Sequence, residues 1–252
     1  MGITTGIHAQ GNGLGVNHFA SWEDLLDRPS PNNGDVATVN NTGVYKYNSS
    51  LGLWLNSIAY DGTPLVDISL SGTATPTSEG WIESALNGGS IDVDGGVVTF
   101  NAFGVNNETA NATYDPSVSA ANHWAYGYIK LVNNSGTDGR LGHIKLSNGT
   151  KRFDVSMRTV DNYLRFMNGG TGGNLNNTSY INNSVDMTSN FVFLEMYLIH
   201  LQGAILFADH QIVGWVIWAA LANSADTDYT IGDSAAAAQG ETSVYDWKFG
   251  RF

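Results

Sequence analysis

The 252-residue chain carries 23 Asp and Glu against 11 Lys and Arg, a net charge of −12 at pH 7. That balance repels a phosphate backbone and excludes DNA and RNA as partners. It holds no cysteine, so neither a disulfide framework nor thiol chemistry is available.

Hydrophobic residues make up 42% and charged residues only 13%, which describes a globular core under a surface of Asn, Gly, Ser and Thr. With 30 Gly and 5 Pro, the turns rely on Gly and Asn, which tolerate positive φ. An all-β protein rich in hairpins fits this composition. The opening "MGITTGIHAQ" has neither a basic nor an apolar region, so no standard signal peptide is expected. The longest apolar run, "IVGWVIWAALA", is too short for a membrane-spanning helix, and no membrane insertion is expected.

Residues 1–18 read as an arm. Residues 19–60 read as a small module. In it "SWEDLLD" predicts a short helix capped by Ser21, with Asp24 three positions on, and stopped by "RPSP". "GDVATV", "VYKYN" and "LWLNSI", separated by the turns "NNTG" and "SSLG", predict a three-stranded meander. Trp22, Tyr45 and Trp54 are its candidate core. So small a core is marginal alone, which points to docking or oligomerisation.

Residues 61–252 read as one sandwich domain. "GWIESA" predicts a strand, and "SIDVDGGVVTFNA" a hairpin turning at "DGG". "HWAYGYIKLVN" is a long alternating strand. "RLGHIKLSNGTKRFDVSMRT" is a hairpin about "SNG", and "DNYLRFMN" adds a strand. The Gly/Asn-rich stretch at 169–190 is longer than most loops in compact domains. "FVFLEMYLIHLQ" and "AILFADHQIVGWVIWAA" continue the set. In the last strand Tyr245, Trp247 and Phe249 alternate with Val244, Asp246 and Lys248, predicting an aromatic face that must be covered. Ten or more such strands predict an antiparallel two-sheet sandwich.

Trp124, Tyr126 and Tyr128 share one strand face by period two. Trp215 and Trp218 fall on opposite faces. A sugar's C–H face packs on an aromatic ring, so Trp124, Tyr126 and Trp215 are the candidate glycan-binding residues, with core packing as the competing use. "NNETANATYD" and "NNSGTDG" read as polar loops able to hydrogen-bond sugars. The six histidines show no metal-ligand spacing. "DVDGG" lacks the third ligand and the distant Glu of an EF-hand, and a hairpin turn explains it.

The order "TPTSEGWIESALNGGSIDVDGGVVTF", "GHIKLSNGTKRFDVSMRT", "FVFLEMYLIHLQGAILFADHQIVGW" and "IGDSAAAAQGETSVYDWKFGRF" resembles the concanavalin A-like, laminin G-like jelly-roll family over about residues 64–252. Asp209-His210 stands where that family's hairpin has Asp-Gly. The resemblance implies that the final strand pairs beside the domain's earliest strands. It also implies a structural calcium, for which Glu79 and Asp246 are the candidates. Laminarinase-type hydrolases of this fold carry Glu-x-Asp-x-x-Glu, with two carboxylates flanking the sugar bond. "EMYLIH" offers Glu195, Tyr197 and His200 instead, so no catalysis by that route is expected.

The helix followed by "GDVATVNNTGVYKYNSSLGLWL" resembles small modules of bacteriophage tail fibres and related virion proteins. That likeness implies a homo-oligomer, a trimer by analogy with fibres, attached to other virion proteins. The combined expectation is a virion structural protein, made in the host bacterial cytoplasm, whose jelly roll contacts host-surface glycans. The alternative is a carbohydrate-binding module or polysaccharide-active enzyme of bacterial origin.

Overall fold

The computed structural model describes residues 17–20, 24–25, 28–39, 43–49, 53–56, 65–103, 108–133, 140–158, 163–166, 179–181, 185–201, 203–209, 211–233 and 240–251. The chain divides into two compact units, Met1–Thr63 and Pro64–Phe252.

The first unit holds β1 (Asn17–Phe19), β2 (Val36–Val39), β3 (Gly43–Asn48) and β4 (Leu53–Asn56). β2, β3 and β4 form the antiparallel meander. A strand across the end of the expected arm, β1, adds to β2 in parallel, with His18 opposite Thr38. Of the expected helix, Asp24 and Leu25 are described and both are helical. Ser21 and Trp22 lie outside the described residues. Leu25, Ala37, Tyr45 and Trp54 are buried together, with Phe19 and Tyr47 packed against them. Arg28 lies over the Trp54 ring at 5.4 Å and pairs with Asp35 at 2.6 Å. One cation thus lids the small core and ties the start of the meander to it.

The second unit is all β. Its strands are β5 (Leu65–Leu70), β6 (Ile82–Leu86), β7 (Ser90–Asp94), β8 (Val97–Ala102), β9 (Thr109–Tyr114), β10 (His123–Asn133), β11 (Arg140–Ser147), β12 (Lys151–Arg158), β13 (Tyr163–Phe166), β14 (Ser179–Ile181), β15 (Val192–Ile199), β16 (Gly203–Ala208), β17 (Gln211–Ile217), β18 (Ala222–Asn223), β19 (Tyr229–Asp233) and β20 (Gly240–Arg251). They form two antiparallel sheets, the jelly-roll sandwich that the strand pattern predicts. One runs β14-β17-β16-β15-β10-β20-β8-β7, with β5 also on β20. The other runs β13-β12-β11-β19-β9-β6, with β18 on β12. Inward residues such as Val98, Phe100, Ile129, Leu131, Phe153 and Met196 fill the space between them, following the period of two.

The second unit also departs from the sequence reading at several points. "TANATY", read within a polar loop, is strand β9. It buries Ala110 and Ala112, residues too small to register as a hydrophobic pattern. "LVDISL" forms β5, and the short strand β14 lies inside the stretch read as one long loop. Tyr229–Asp233 forms β19, so the loop read from Gly232 onward begins later. The Asp209-His210 connection joins β16 to β17 in two residues, with Asp209 at φ 47, the left-handed conformation such tight hairpins require.

β20 pairs β10 along one side, and β8 and β5 along the other. The last strand therefore does join the earliest ones, as the family likeness implies. Its alternation is broken, however. The register with β10 shifts between Tyr126 and Tyr128, where Asp246 takes φ 50. Such a bulge sets two residues against one and flips the alternation beyond it. Val244, Trp247 and Phe249 face the core, while Tyr245 faces outward. The expected grouping of Tyr245 with Trp247 and Phe249 is corrected accordingly.

Trp247 has no exposed surface, and its indole N–H donates to the Tyr128 carbonyl at 2.8 Å. Its ring occupies the space over Gly127, where an added Cβ would lie 2.5 Å from Trp247 Cγ. Gly127→Ala should cost about 1–3 kcal/mol by overpacking. That lowers Tm by several degrees in the wild-type background, and by less when the same change is added to Trp247→Phe. An unchanged melting curve for the single variant would show that the ring yields freely.

One polar network crosses the sandwich. The Tyr229 hydroxyl lies 2.8 Å from Asp67 Oδ2, to which it donates, and 2.7 Å from His123 Nδ1. Arg251 Nε lies 3.3 Å from Asp67 Oδ1. A hydroxyl donating to Asp67 accepts from His123, which places the imidazole proton on Nδ1. Burial, and then the Arg251 charge, push the His123 pKa from its ordinary 6.5 down to about 4. The unfolded chain thus takes up a proton that the folded chain refuses. Stability from this source is complete above pH 6.5 and falls as the pH drops to 4, by on the order of 3 kcal/mol. In urea titrations across this window, the stability gap between wild type and His123→Gln should narrow by that amount toward pH 4. A gap independent of pH would count against the assignment.

Candidate functional site

The candidate site is the outer face of the nine-stranded sheet. Strand register sets its layout. Across β20, β10, β15 and β16, Lys248 stands opposite Tyr126, Tyr126 opposite Glu195, and Glu195 opposite Phe207. In the next row Tyr245 stands opposite Tyr128, and Tyr128 opposite Phe193. In the row on the other side, Trp124 stands opposite Tyr197 and Tyr197 opposite Ile205.

These rows bring the aromatic rings into a continuous strip. Tyr128 and Tyr245 stack at 4.4 Å and 5°, and Phe191 meets Tyr245 edge-on at 4.9 Å. Phe193 bridges the strip, 5.0 Å from Tyr128 and 5.9 Å from Tyr126. Tyr126 stacks on Trp124 at 5.2 Å and 13°. Tyr126, Tyr128, Phe191, Phe193 and Tyr245 are all half-buried, so rings remain open to solvent. Trp124 is only 4% exposed, and its indole lies 3.3 Å from the Arg251 carbonyl. It supports the platform from beneath rather than forming its surface. Trp215 belongs to β17, but its side chain lies outside the described residues. Trp218 sits in a short 3-10 turn, edge-on to His200 at 5.1 Å.

Charged and polar groups flank the rings. Lys248 Nζ lies 5.5 Å from the Tyr126 ring and 3.1 Å from Asp246 Oδ1. The hydrogen bond that Lys248 donates to Asp246 is the main cause that raises the Lys248 pKa, keeping the ammonium charged. Burial, then the neighbouring Tyr128 and Asp246, raise the Tyr245 pKa. Tyr197 is pushed well above the usual phenol range by burial, then by Glu195 and Tyr126. Both phenols are therefore donors at any physiological pH. Glu195 is 4% exposed, a buried residue of this face rather than a solvated one. The two further positions of its motif carry Tyr197 and His200, so "EMYLIH" contributes one carboxylate. The His200 backbone N–H donates to Asn122.

The calcium candidates have partners within the protein. The Glu79 carboxylate accepts from the Ser71 backbone N–H at 3.1 Å and from the Ser71 hydroxyl. Asp246 holds Lys248. Among the described residues, no group of three or more His, Asp or Glu side chains is placed to hold a metal ion. Tyr45 and Trp54 lie in the core of the first unit, and Trp22 lies outside the described residues.

Period two is enough to find Trp124, Tyr126 and Tyr128. The contributions of Phe191, Phe193 and Tyr245 depend on strand register, which no local pattern reveals.

Known proteins resemble this chain in fold. A carbohydrate esterase of the Shiga toxin-encoding bacteriophage phi24B matches with a TM-score of 0.54 at 11% identity, over 75% of this chain and 99% of that one. β-Agarase A from Zobellia galactanivorans matches with a TM-score of 0.51 at 14% identity, over 75% and 92%. The same agarase in complex with oligoagarose gives 0.52 at 14% identity over the same shares. No protein-family model and no curated protein matches the chain. At such identities the likeness is one of architecture, and what it establishes is the two-sheet sandwich.

Proposed function

We propose that the chain is a bacteriophage virion structural protein, a tail-fibre, appendage or capsid-surface component, whose sandwich binds host-surface glycans. The observation that carries the glycan part is the strip Tyr126–Phe193–Tyr128–Tyr245–Phe191. It offers half-open rings flanked by a lysine and a carboxylate, the combination on which a sugar ring stacks and hydrogen-bonds. The phage esterase and the agarase bound to oligoagarose use similar folds for carbohydrate chemistry, which supports a sugar-directed role. The first unit's small core supports its use as a docking or oligomerisation module, with a trimer as the expected state.

A second reading, a carbohydrate-binding module or polysaccharide-active enzyme of bacterial origin, draws on Glu195. It is a buried carboxylate set directly beside Tyr126 in the same face.

One measurement tests the strip and a second separates the two readings. On a glycan array, wild type should bind. Tyr126→Ala and Tyr245→Ala should each weaken binding about three- to tenfold while leaving the melting curve close to wild type. Equal binding by all three would remove the strip from the function. Mass spectrometry and immunolabelling of intact phage particles should find the protein at a fixed location. Its absence there, with turnover of a polysaccharide lost in Glu195→Gln, would establish the second reading instead.

A further inference from the structure

Each sheet of a sandwich ends in strands whose outer backbone groups lack a ladder partner, and proteins commonly guard them. The edges here are guarded unequally. β7 carries Asp92 and Asp94, both exposed. A two-fold pairing about Asp92 would set carboxylate against carboxylate. On β5 the Ser69 carbonyl accepts the Trp81 indole N–H at 2.9 Å. β13 is four residues long and carries Arg165. β6 carries one charge, Glu83, whose carboxylate accepts from the Thr77 backbone N–H at 2.8 Å, and it differs from all three in its exposed apolar ends. Among the described residues it pairs only with β9, and four of its five residues are exposed, two on each face. Ile82 is 68% and Leu86 56% exposed, among the most exposed large apolar side chains described.

The order Ile82-Glu83-Ser84-Ala85-Leu86 is complementary to itself when reversed. We propose that two copies of this chain associate by pairing β6 with β6 antiparallel about Ser84, joining their seven-stranded sheets into one. In that register Ile82 of each copy meets Leu86 of the other, Glu83 meets Ala85, and Ser84 meets Ser84. Both Ile–Leu pairs fall on one face with the Ser pair between them, because alternate residues share a face. Cross-strand apolar pairs of this kind are the unit of sheet stabilisation. A slip by two residues in one direction opposes Glu83 to Glu83. A slip in the other direction opposes Ala85 to Ala85 and leaves Ile82 without a partner. The side chains therefore select one register. They also select a second copy as the occupant, since a two-fold interface must be its own complement. β6 belongs to the seven-stranded sheet and the aromatic strip to the nine-stranded one, so the proposal stands independently of the glycan reading.

The absence of cysteine allows a direct test on the full chain. Opposed residues of an antiparallel pair have Cα atoms about 4.5–5.5 Å apart, within disulfide range. Ser84→Cys should oxidise mainly to a covalent dimer, while Ser119→Cys, at an exposed position elsewhere, stays mainly monomeric. By sedimentation, Ile82→Lys with Leu86→Lys should halve the assembled mass, leaving only what the first unit holds together, because each pair then opposes two ammonium groups. Ile82→Lys with Leu86→Glu should retain it. A wild-type assembly no larger than that of the Lys/Lys variant, or Ser84→Cys cross-linking no faster than Ser119→Cys, would each overturn the proposal.

Discussion

The second unit depends on the bulge at Asp246–Trp247 opposite Gly127. A regular β20 would carry Tyr245, Trp247 and Phe249 on one face and Asp246 on the other. The extra residue rephases the strand, sending Trp247 and Phe249 inward and Tyr245 outward. The core thereby gains an indole, whose N–H bonds to the neighbouring strand, and the outer face gains the phenol that stacks on Tyr128. Gly127 makes this possible by leaving the volume that the indole fills. Core packing and the candidate glycan surface are thus two results of one irregularity. Selection on either would hold Gly127, Asp246 and Trp247 together.

The outer face shows how a sheet can expose rings without becoming a general hydrophobic patch. Trp124 and Tyr197 are buried beneath or beside the strip, while Lys248 and Asp246 place a salt bridge at its margin. Rings held by stacking on both sides lose little freedom when a ligand arrives, which favours binding of flat, weakly adhesive partners such as sugars. At the other end of the molecular scale, the first unit has four fully described core side chains and an arginine lid.

Much of this architecture was legible before the structure. Strands with large alternating residues, such as β8, β10 and β12, announce themselves, and Tyr45 and Trp54 are recognisable as core. β9 and β14 are not, because burial of Ala110 and Ala112, or a three-residue pairing, leaves too little hydrophobic contrast to detect. The face assignment of β20 failed for a different reason. Counting by twos assumes an unbroken ladder, and the bulge depends on a glycine in a strand more than a hundred residues away. The same distance explains the site. Trp124, Tyr126 and Tyr128 emerge from their own strand, whereas Phe193 and Tyr245 join them only through pairing with β15 and β20.

The position of β20 has a consequence for how the protein is made. The last strand in order lies inside the sheet, between β10 on one side and β8 and β5 on the other. Until residues 240–251 leave the ribosome, those strands face a vacant slot lined by Ile68, Phe100 and Ile129, with their backbone groups unladdered. The sandwich can therefore close only once these residues have emerged, and until then the nascent chain passes through a state with two open sheet edges at its centre. A chain truncated before Gly240 would lack the strand between these two groups, and such a fragment would be a natural client for chaperones and proteases.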